Sequence, residues 1–204
     1  MGMSLQNIEP IAITSENTVV AEIDSKTNKA KAYESESELE AAFIELLKDQ
    51  AYEYLPITDE PALIANLKIQ IEKLNKVEFS DTEWERFFTE SISSEKDGII
   101  EKTRRFQEDH IRVLKRDNGE SKNIYLIDKQ YIHNNSVQVL NQYEVEGARK
   151  NRYDVTVLVN GLPLVHIELK RRGVDIREAF NQINRYQHES FWAGSGLYQY
   201  IQIS

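Results

Sequence analysis

Hydrophobic residues recur every three to four positions in the first half of the chain and mostly every second position in the second half. The first spacing is that of an amphipathic helix and the second that of a β-strand. At the start of ESELEAAFIELLKDQAYEYL, which Ser35 precedes, two overlapping Ser-x-x-Glu capping boxes mark a helix start: Ser35 with Glu38 and Ser37 with Glu40. We therefore predict helices from Ser35 to about Tyr54, in ALIANLKIQIEKLNKV and in SDTEWERFFTESI, followed by a helical or irregular segment over residues 98–107.

The strand pattern begins after residue 109, where HIRVLKR and NIYLID flank the turn DNGESK. SVQVLNQYEVEG is a further predicted strand, and YDVTVLVN with LPLVHIELK predicts a hairpin about Asn160-Gly161. Asp175 is a predicted cap for a helix in IREAFNQINRYQHES, and GLYQYIQIS is a predicted last strand. The order predicts an α/β (α+β) fold over residues 35–204, with a mixed central β-sheet flanked by helices. Residues 1–34 form a predicted extension with a β-hairpin of TVVAEI and KAKAY.

The composition of the chain excludes several classes of protein function. With 40% hydrophobic and 29% charged residues, the chain has the composition of a soluble globular protein. The absence of cysteine excludes thiolate zinc sites and cysteine nucleophiles. No run of about 18 apolar residues occurs, and MGMSLQNIEP lacks the pattern of a secretory signal, so we expect a cytoplasmic protein with no membrane partner.

The net charge of −9 argues against a nucleic-acid partner when it is taken alone. The negative charge is unevenly distributed, because residues 1–60 contain 13 acidic and 4 basic side chains. Residues 144–204 contain 7 acidic and 8 basic side chains, so the segment with the Asn160-Gly161 hairpin is neutral to slightly basic.

Three charged side chains interrupt the apolar pattern of this hairpin. His166, Glu168 and Lys170 share one face of the second strand, and on the first strand Asp154 and Thr156 share the polar face. A three-residue loop over 160–162 would set Asp154 opposite Glu168, whereas a two-residue loop would pair Asp154 with Ile167. Because Pro163 cannot donate to the ladder, we predict the longer loop.

In the predicted register, the carboxylates of Asp154 and Glu168 lie roughly 5 Å apart, and Lys170 lies beside them. A hard divalent cation is the simplest way to keep two such carboxylates ionised, and Mg²⁺ or Mn²⁺ accepts their oxygens together with water and phosphate ligands. The lysine is suited to orient an attacking water or to stabilise charge on a phosphate. This chemistry favours phosphodiester hydrolysis over acyl transfer.

Gln182 and Tyr186 follow on the next predicted helix, spaced four residues apart and therefore on one face. An Asp at the start of a strand, a return strand ending in Glu-x-Lys and a helix with Gln-x-x-x-Tyr resemble the PD-(D/E)xK nuclease superfamily. More narrowly, RYDVTVLVNGLPLVHIELK with EAFNQINRY resembles the N-terminal endonuclease domain of the R subunit of type I restriction enzymes. The resemblance is close over residues 138–204 and looser over ELEAAFIELL.

The resemblance implies a restriction-endonuclease-like fold, with Asp154, Glu168 and Lys170 as catalytic residues and Glu40 as an additional acidic residue. It implies that Asp154, Glu168 and the Leu169 carbonyl hold the metal. Accessory and DNA contacts are expected from Gln182, Tyr186, Arg152, Arg171 and Arg172.

The resemblance also implies partners. These are double-stranded DNA and the modification (methyltransferase) and specificity subunits of a restriction complex. Cleavage is expected during ATP-driven translocation. ATP binding is expected only in the full-length subunit, because no G-x-x-x-x-G-K-[ST] motif occurs in this chain.

Other interpretations remain open at this point. An acidic-x-Lys triplet also occurs at Asp24/Lys26 and Glu120/Lys122, where a solvated edge explains it. The Ser37-x-x-Glu40 box explains Glu40 as a helix cap without catalysis. Gln182 and Tyr186 also fit the polar flank of an amphipathic helix, and a solvated face explains the arginines nearly as well as DNA contacts do. The alternative functions are another PD-(D/E)xK nuclease, of the repair or junction-resolving type, and a non-catalytic module that docks DNA or partner subunits.

Overall fold

The computed structural model describes residues 8–13, 19–23, 35–94, 96–145, 151–170, 176–186 and 196–204. Within these ranges, the helices are α1 Glu36–Asp49, α2 Glu60–Asn75, α3 Asp81–Phe87, α4 Ile99–Gln107 and α5 Ile176–Tyr186. The strands are β1 Ile8–Ile13, β2 Val19–Ile23, β3 Glu53–Tyr54, β4 Ile111–Lys115, β5 Ser121–Tyr125, β6 Val137–Val145, β7 Asn151–Val159 and β8 Leu162–Ile167. None of the helices in these ranges combines the length and apolar character that crossing a bilayer requires.

The central sheet has the strand order β3-β6-β7-β8. β3 runs parallel to β6, and the other neighbouring pairs are antiparallel. Beyond β8, Ile203 forms a parallel bridge with Val165. This mixed sheet with helices confirms the predicted α/β fold class.

The two faces of the sheet are covered by different helices. Ile44 and Leu47 of α1 pack against Val139 of β6 and Val155 of β7. Leu140 follows Val139 in β6, and Leu158 lies an odd number of positions after Val155 in β7. Both leucines belong to a larger cluster with Leu63, Leu67 and Ile71 of α2. Since neighbouring residues of a strand point to opposite faces, α1 covers one face and α2 the other.

Helix starts agree with the capping signals in the sequence. The Ser35 side chain accepts from the Glu38 backbone N–H, and the Glu38 side chain accepts from the Ser35 N–H in return. Ser80 and Glu83 make the same reciprocal pair at the start of α3. Asp59 caps α2. These contacts satisfy N–H groups that the first helical turn leaves without partners.

One predicted strand was wrong, and another is untested. Val19–Ile23 of TVVAEI pairs with Ile8–Ile13 as an antiparallel hairpin, and the predicted partner strand KAKAY lies outside the described residues. The predicted last strand is instead a 3₁₀ turn over Leu197–Tyr200, followed by the single bridge at Ile203. Leu197, Tyr198 and Tyr200 are all buried, and one tight turn places these three side chains in the core where an alternating strand would not.

The β7-β8 hairpin is closed by a two-residue turn, so the predicted three-residue loop was wrong. Val159 pairs with Leu162, and Asn160 and Gly161 have φ angles of 50° and 83°, as a type I′ turn requires. Pro163 is tolerated because it pairs with Leu158, one step beyond the turn-flanking pair, where antiparallel partners exchange no hydrogen bonds.

A β-bulge then changes the register of the hairpin. After the pair Leu158–Pro163, the ladder continues as Val157–Val165, and its last pair is Val155–Ile167. The extra residue in β8 therefore shifts the partners by one position. The next position along the ladder sets Asp154 across from Glu168, the register that the longer loop was predicted to give.

The turn itself is buried. Asn160 is only 1% exposed, and its side-chain amide donates to the Leu126 carbonyl and to Asn135. Its Oδ1 accepts from the Ser136 N–H. Gly161 lies against α2, where an added Cβ would stand 2.7 Å from the Leu67 Cα. The turn is thus enclosed on both sides.

Gly161→Ala tests this enclosure, and Gly119→Ala is the matched control. Gly119 has a similar φ of 89°, but a Cβ there would meet nothing within 4 Å. We expect Gly119→Ala to cost about 1–2 kcal/mol through the left-handed backbone alone. Gly161→Ala should cost at least about 1 kcal/mol more, because the clash adds overpacking strain. Urea unfolding measures both, and equal losses would contradict the close packing of the turn on α2.

Candidate active site

The carboxylates of Asp154 and Glu168 meet where β8 ends. Asp154 lies within β7, and Glu168 follows the last residue of β8. The backbone N–H of Leu169 donates to Asp154 Oδ2 at 3.0 Å, and Lys170 Nζ donates to Glu168 Oε1 at 2.8 Å. The Glu168 side chain is 0% exposed, whereas that of Lys170 is 17% exposed. The site is therefore an almost enclosed cluster of two carboxylates and one ammonium group.

Asp154 has the most perturbed carboxyl group of this cluster. Burial raises the pKa of Asp154 to about 6, and the neighbouring charge of Glu168 adds to the rise. The Leu169 hydrogen bond and the Lys170 charge oppose it, and Glu40 contributes a further repulsion. A carboxyl group with this pKa takes up a proton in the mildly acidic range, where an ordinary aspartate is fully ionised.

Glu168 and Lys170 are shifted in the opposite sense. Burial opposes ionisation of Glu168, but His166 and Lys170 outweigh it and hold the pKa of that carboxyl below its usual value. Burial likewise opposes the charge on Lys170, yet its contact with Glu168 keeps the pKa of the ammonium group raised. Both groups therefore remain charged at neutral pH.

The polar face of the hairpin is not open to solvent, contrary to what a solvated strand edge would show. Thr156 is fully buried and shares a 3.0 Å hydrogen bond with the Tyr198 hydroxyl. His166 is 1% exposed, and its Nε2 lies 3.6 Å from Glu168 Oε2. His166 is thus a buried neighbour that supports Glu168 from the protein interior.

Glu40 does not cap α1. The cap is Ser35 with Glu38, so the proposed Ser37-x-x-Glu40 box was wrong. Glu40 is 7% exposed on the stripe that also buries Ile44, and its two oxygens accept hydrogen bonds from the side-chain amides of Asn141 and Gln142. It is close enough to Asp154 to affect its ionisation.

The donor set suits a hard divalent cation. Across the part of the chain that the structure describes, no group of three or more His, Cys, Asp or Glu side chains is arranged to hold a metal ion by itself. Mg²⁺ needs fewer, since one or two carboxylates with water and substrate phosphate complete its shell. Glu168 Oε2 is buried without a hydrogen-bond partner among the described residues, which leaves an oxygen to be satisfied.

The predicted accessory residues are only partly described. Gln182 is half-buried on α5, and Tyr186 is the last residue of that helix, with its side chain outside the described part of the structure. Arg152 is exposed on β7, across from Glu144. Arg171 and Arg172 lie outside the described residues. Their roles in DNA binding remain predictions.

Three residues near the site were not found from the sequence. Glu36, the first residue of α1, lies 3.8 Å from Lys170. Asn141 and Gln142 bind Glu40 from β6. The available signal was the pair of amides that interrupts the apolar alternation of VQVLNQYEV. Interpreting it requires knowledge of which strand lies beside β7.

Comparison with known proteins gives a consistent family. The family described as Type I restriction enzyme R protein N terminus matches residues 33–204. That range includes α1, the central sheet and all the site residues named above.

Individual relatives carry similar names. The Type I restriction enzyme EcoprrI endonuclease subunit of Escherichia coli is 44% identical over 196 residues, which cover 96% of this chain and 63% of that protein. The SsaAORF53P endonuclease subunit of Staphylococcus saprophyticus is 40% identical over 84% of this chain and 18% of its own length. The HindI subunit of Haemophilus influenzae is 39% identical over 88 residues. The chain thus spans less than two thirds of the length of these relatives.

The raised pKa of Asp154 predicts a specific pH dependence of stability. Since the pKa rises from 3.8 to about 6 on folding, the stabilisation present below pH 3.8 is lost as the pH rises through 6. Asp154→Asn is uncharged throughout and lacks this loss. Wild-type stability relative to the variant should therefore fall between pH 4 and pH 6 in metal-free buffer, and Mg²⁺ at pH 7 should restore it. Denaturant unfolding at each pH measures the difference, and a constant difference would contradict the burial of this carboxyl group.

Proposed function

The chain belongs to the family of type I restriction enzyme R protein N termini, and from this we propose that it is the endonuclease domain of such a subunit. Its substrate is double-stranded DNA, and its reaction is hydrolysis of a phosphodiester bond. The names of the relatives as endonuclease subunits support this proposal.

One observation carries the proposal. After the bulge in β8 the ladder ends at Val155–Ile167, so Asp154 and Glu168 occupy the next position; the Leu169 N–H donates to Asp154, and Lys170 donates to Glu168. A structural ion pair would need one carboxylate for one ammonium group. Here a second, half-buried carboxylate is held beside the pair, at a cost expressed in its raised pKa. Such an arrangement is expected where a cation and a phosphate complete the site.

Asp154, Glu168 and the Leu169 carbonyl are the groups that would hold Mg²⁺ or Mn²⁺. The ion supplies Lewis-acid stabilisation of the charge on the phosphate and lowers the pKa of a bound water. The surrounding residues keep these groups in place, since Leu169 is packed in the cluster under α1 and its N–H fixes one Asp154 oxygen.

Lys170 acts as a cation in this proposal. Because its pKa is raised, the ammonium group remains protonated at neutral pH and is unsuited to remove a proton from water. It stabilises the negative charge that develops on the phosphate oxygens and orients the attacking water. Water attacks phosphorus in line with the departing 3′ oxygen, so the product carries a 5′-phosphate.

The cellular context is also proposed from the family. Cleavage occurs during ATP-driven translocation by a motor encoded outside this chain, in a complex with modification and specificity subunits. The partial coverage of the relatives leaves room for that motor. The DNA recognition sequence would be read by another subunit.

Single substitutions in the full-length subunit test the reaction. Asp154→Ala and Lys170→Ala should each reduce DNA cleavage by at least about 100-fold, since each removes charge stabilisation at the phosphate. Glu120→Ala and Lys122→Ala are matched controls, because they alter the same acidic-x-Lys pattern on the exposed β5 hairpin. The controls should cleave like the wild type in an assembled, ATP-supplied complex.

The accompanying measurements separate catalysis from folding and assembly. Circular dichroism and ATP hydrolysis should be unchanged in Asp154→Ala and Lys170→Ala. Full cleavage by either variant would exclude the proposed site. Thermal stabilisation by Ca²⁺, which binds oxygen ligands without supporting most Mg²⁺-dependent cleavage, should be lost in Asp154→Ala.

A further inference from the structure

Gln142 adopts an unusual backbone conformation in the middle of β6. Its φ of 55° lies in the left-handed region, which residues with a Cβ rarely adopt and which regular strands exclude. Its side-chain Oε1 is also buried without a hydrogen-bond partner among the described residues. Two unfavourable features at one residue indicate that the surrounding structure imposes the conformation.

Gln142 lies across from Asp154. The pairs Asn141–Val155 and Tyr143–Tyr153 flank this position on either side, and neither Gln142 nor Asp154 forms a regular ladder pair. Asp154 therefore sits between the irregular residue of β6 and Glu168 beyond β8.

Both strands change faces at this position. Val139 and Val155 pack in the cluster under α1, but Tyr143 and Tyr153 pack in the cluster on the opposite side. In a regular strand, residues two or four positions apart share a face. The change of side in β6 coincides with its left-handed residue, and the change in β7 occurs at Asp154, the position across from it.

Glu40 holds this reversal from α1. Its oxygens accept hydrogen bonds from the side-chain amides of Asn141 and Gln142, and the Asn141 Oδ1 accepts from the Tyr54 hydroxyl at 2.9 Å. Glu40 is 7% exposed, so these contacts lie in a setting where charge-assisted hydrogen bonds are strong. The carboxylate thus joins α1 to the irregular part of β6.

We propose that Gln142 is a positioning residue: its left-handed backbone, held by Glu40, turns β6 and β7 so that the Asp154 carboxylate faces Glu168. The role rests on the proposed nuclease function of Asp154. In this proposal Glu40 affects the position of Asp154 through Gln142, because its two oxygens accept hydrogen bonds from the side-chain amides of Asn141 and Gln142.

Gln142→Ala and Gln142→Gly separate the two parts of this role. Both remove the amide that Glu40 holds. Alanine disfavours positive φ, so the backbone should relax, whereas glycine adopts positive φ without strain and should keep the turn. Gln142→Ala should lose cleavage by about 100-fold through displacement of Asp154, and Gln142→Gly should retain most of it.

The Leu169 amide provides a measurement that needs no metal and no activity. Its N–H donates to Asp154 Oδ2, so its hydrogen exchange reports where the Asp154 carboxylate lies. In the full-length subunit, exchange at Leu169 should accelerate in Gln142→Ala and stay slow in Gln142→Gly. Glu45→Gln, on the exposed side of α1, is the control for Glu40→Gln, which should behave like Gln142→Ala.

Three results would overturn the positioning role. They are wild-type Leu169 exchange in Gln142→Ala, wild-type cleavage in the same variant, and equal impairment of Gln142→Ala and Gln142→Gly. Failure of the nuclease proposal looks different. In that case the wild-type subunit does not cleave, or Asp154→Ala cleaves normally, while the difference in Leu169 exchange between alanine and glycine persists.

Discussion

The repulsion between the carboxylates of Asp154 and Glu168 is the constraint around which the site is arranged. Each contact described above offsets part of it. Lys170 neutralises Glu168, the Leu169 N–H supports Asp154, and His166 stands behind Glu168. The compensation is incomplete, because burial, together with the neighbouring charge of Glu168, still raises the pKa of Asp154 to about 6. In the proposed function, a cation that binds together with the substrate would offset the repulsion that remains.

Keeping two like charges together requires a rigid frame, and the hairpin supplies it. The buried Asn160-Gly161 turn fixes one end of β7 and β8, and the bulge after Leu158 sets the partners at the other end. α1 covers one face of the sheet, and from there Glu40 accepts hydrogen bonds from the side-chain amides of Asn141 and Gln142 in β6. The same few contacts therefore fix both the secondary structure and the arrangement of the candidate site.

The sequence predicted the helices, the hairpin and the grouping of Asp154, Glu168 and Lys170 well, because these depend on local periodicity and on an Asn-Gly turn. The loop length was wrong, since a buried bulge leaves no signature in a run of apolar residues such as LPLVHI. A helix cap remained an alternative role for Glu40 because its local partner Ser37 is visible in sequence, whereas Asn141 and Gln142 are about a hundred residues away. The segment GLYQYIQIS was wrongly predicted as a strand, because its pattern of apolar and polar residues is the same for a strand and for a 3₁₀ turn that buries Leu197, Tyr198 and Tyr200.

The two glycine turns differ in how much change they can accommodate during evolution or engineering. At the Gly119 turn an added Cβ meets no atom within 4 Å, and exposed turns of this kind are the usual sites of tolerated insertions, labels and tags. The Asn160-Gly161 turn is filled on one side by Leu67 and on the other by Asn135 and Ser136. Length variation among homologous hairpins should therefore accumulate at the first turn and be excluded from the second.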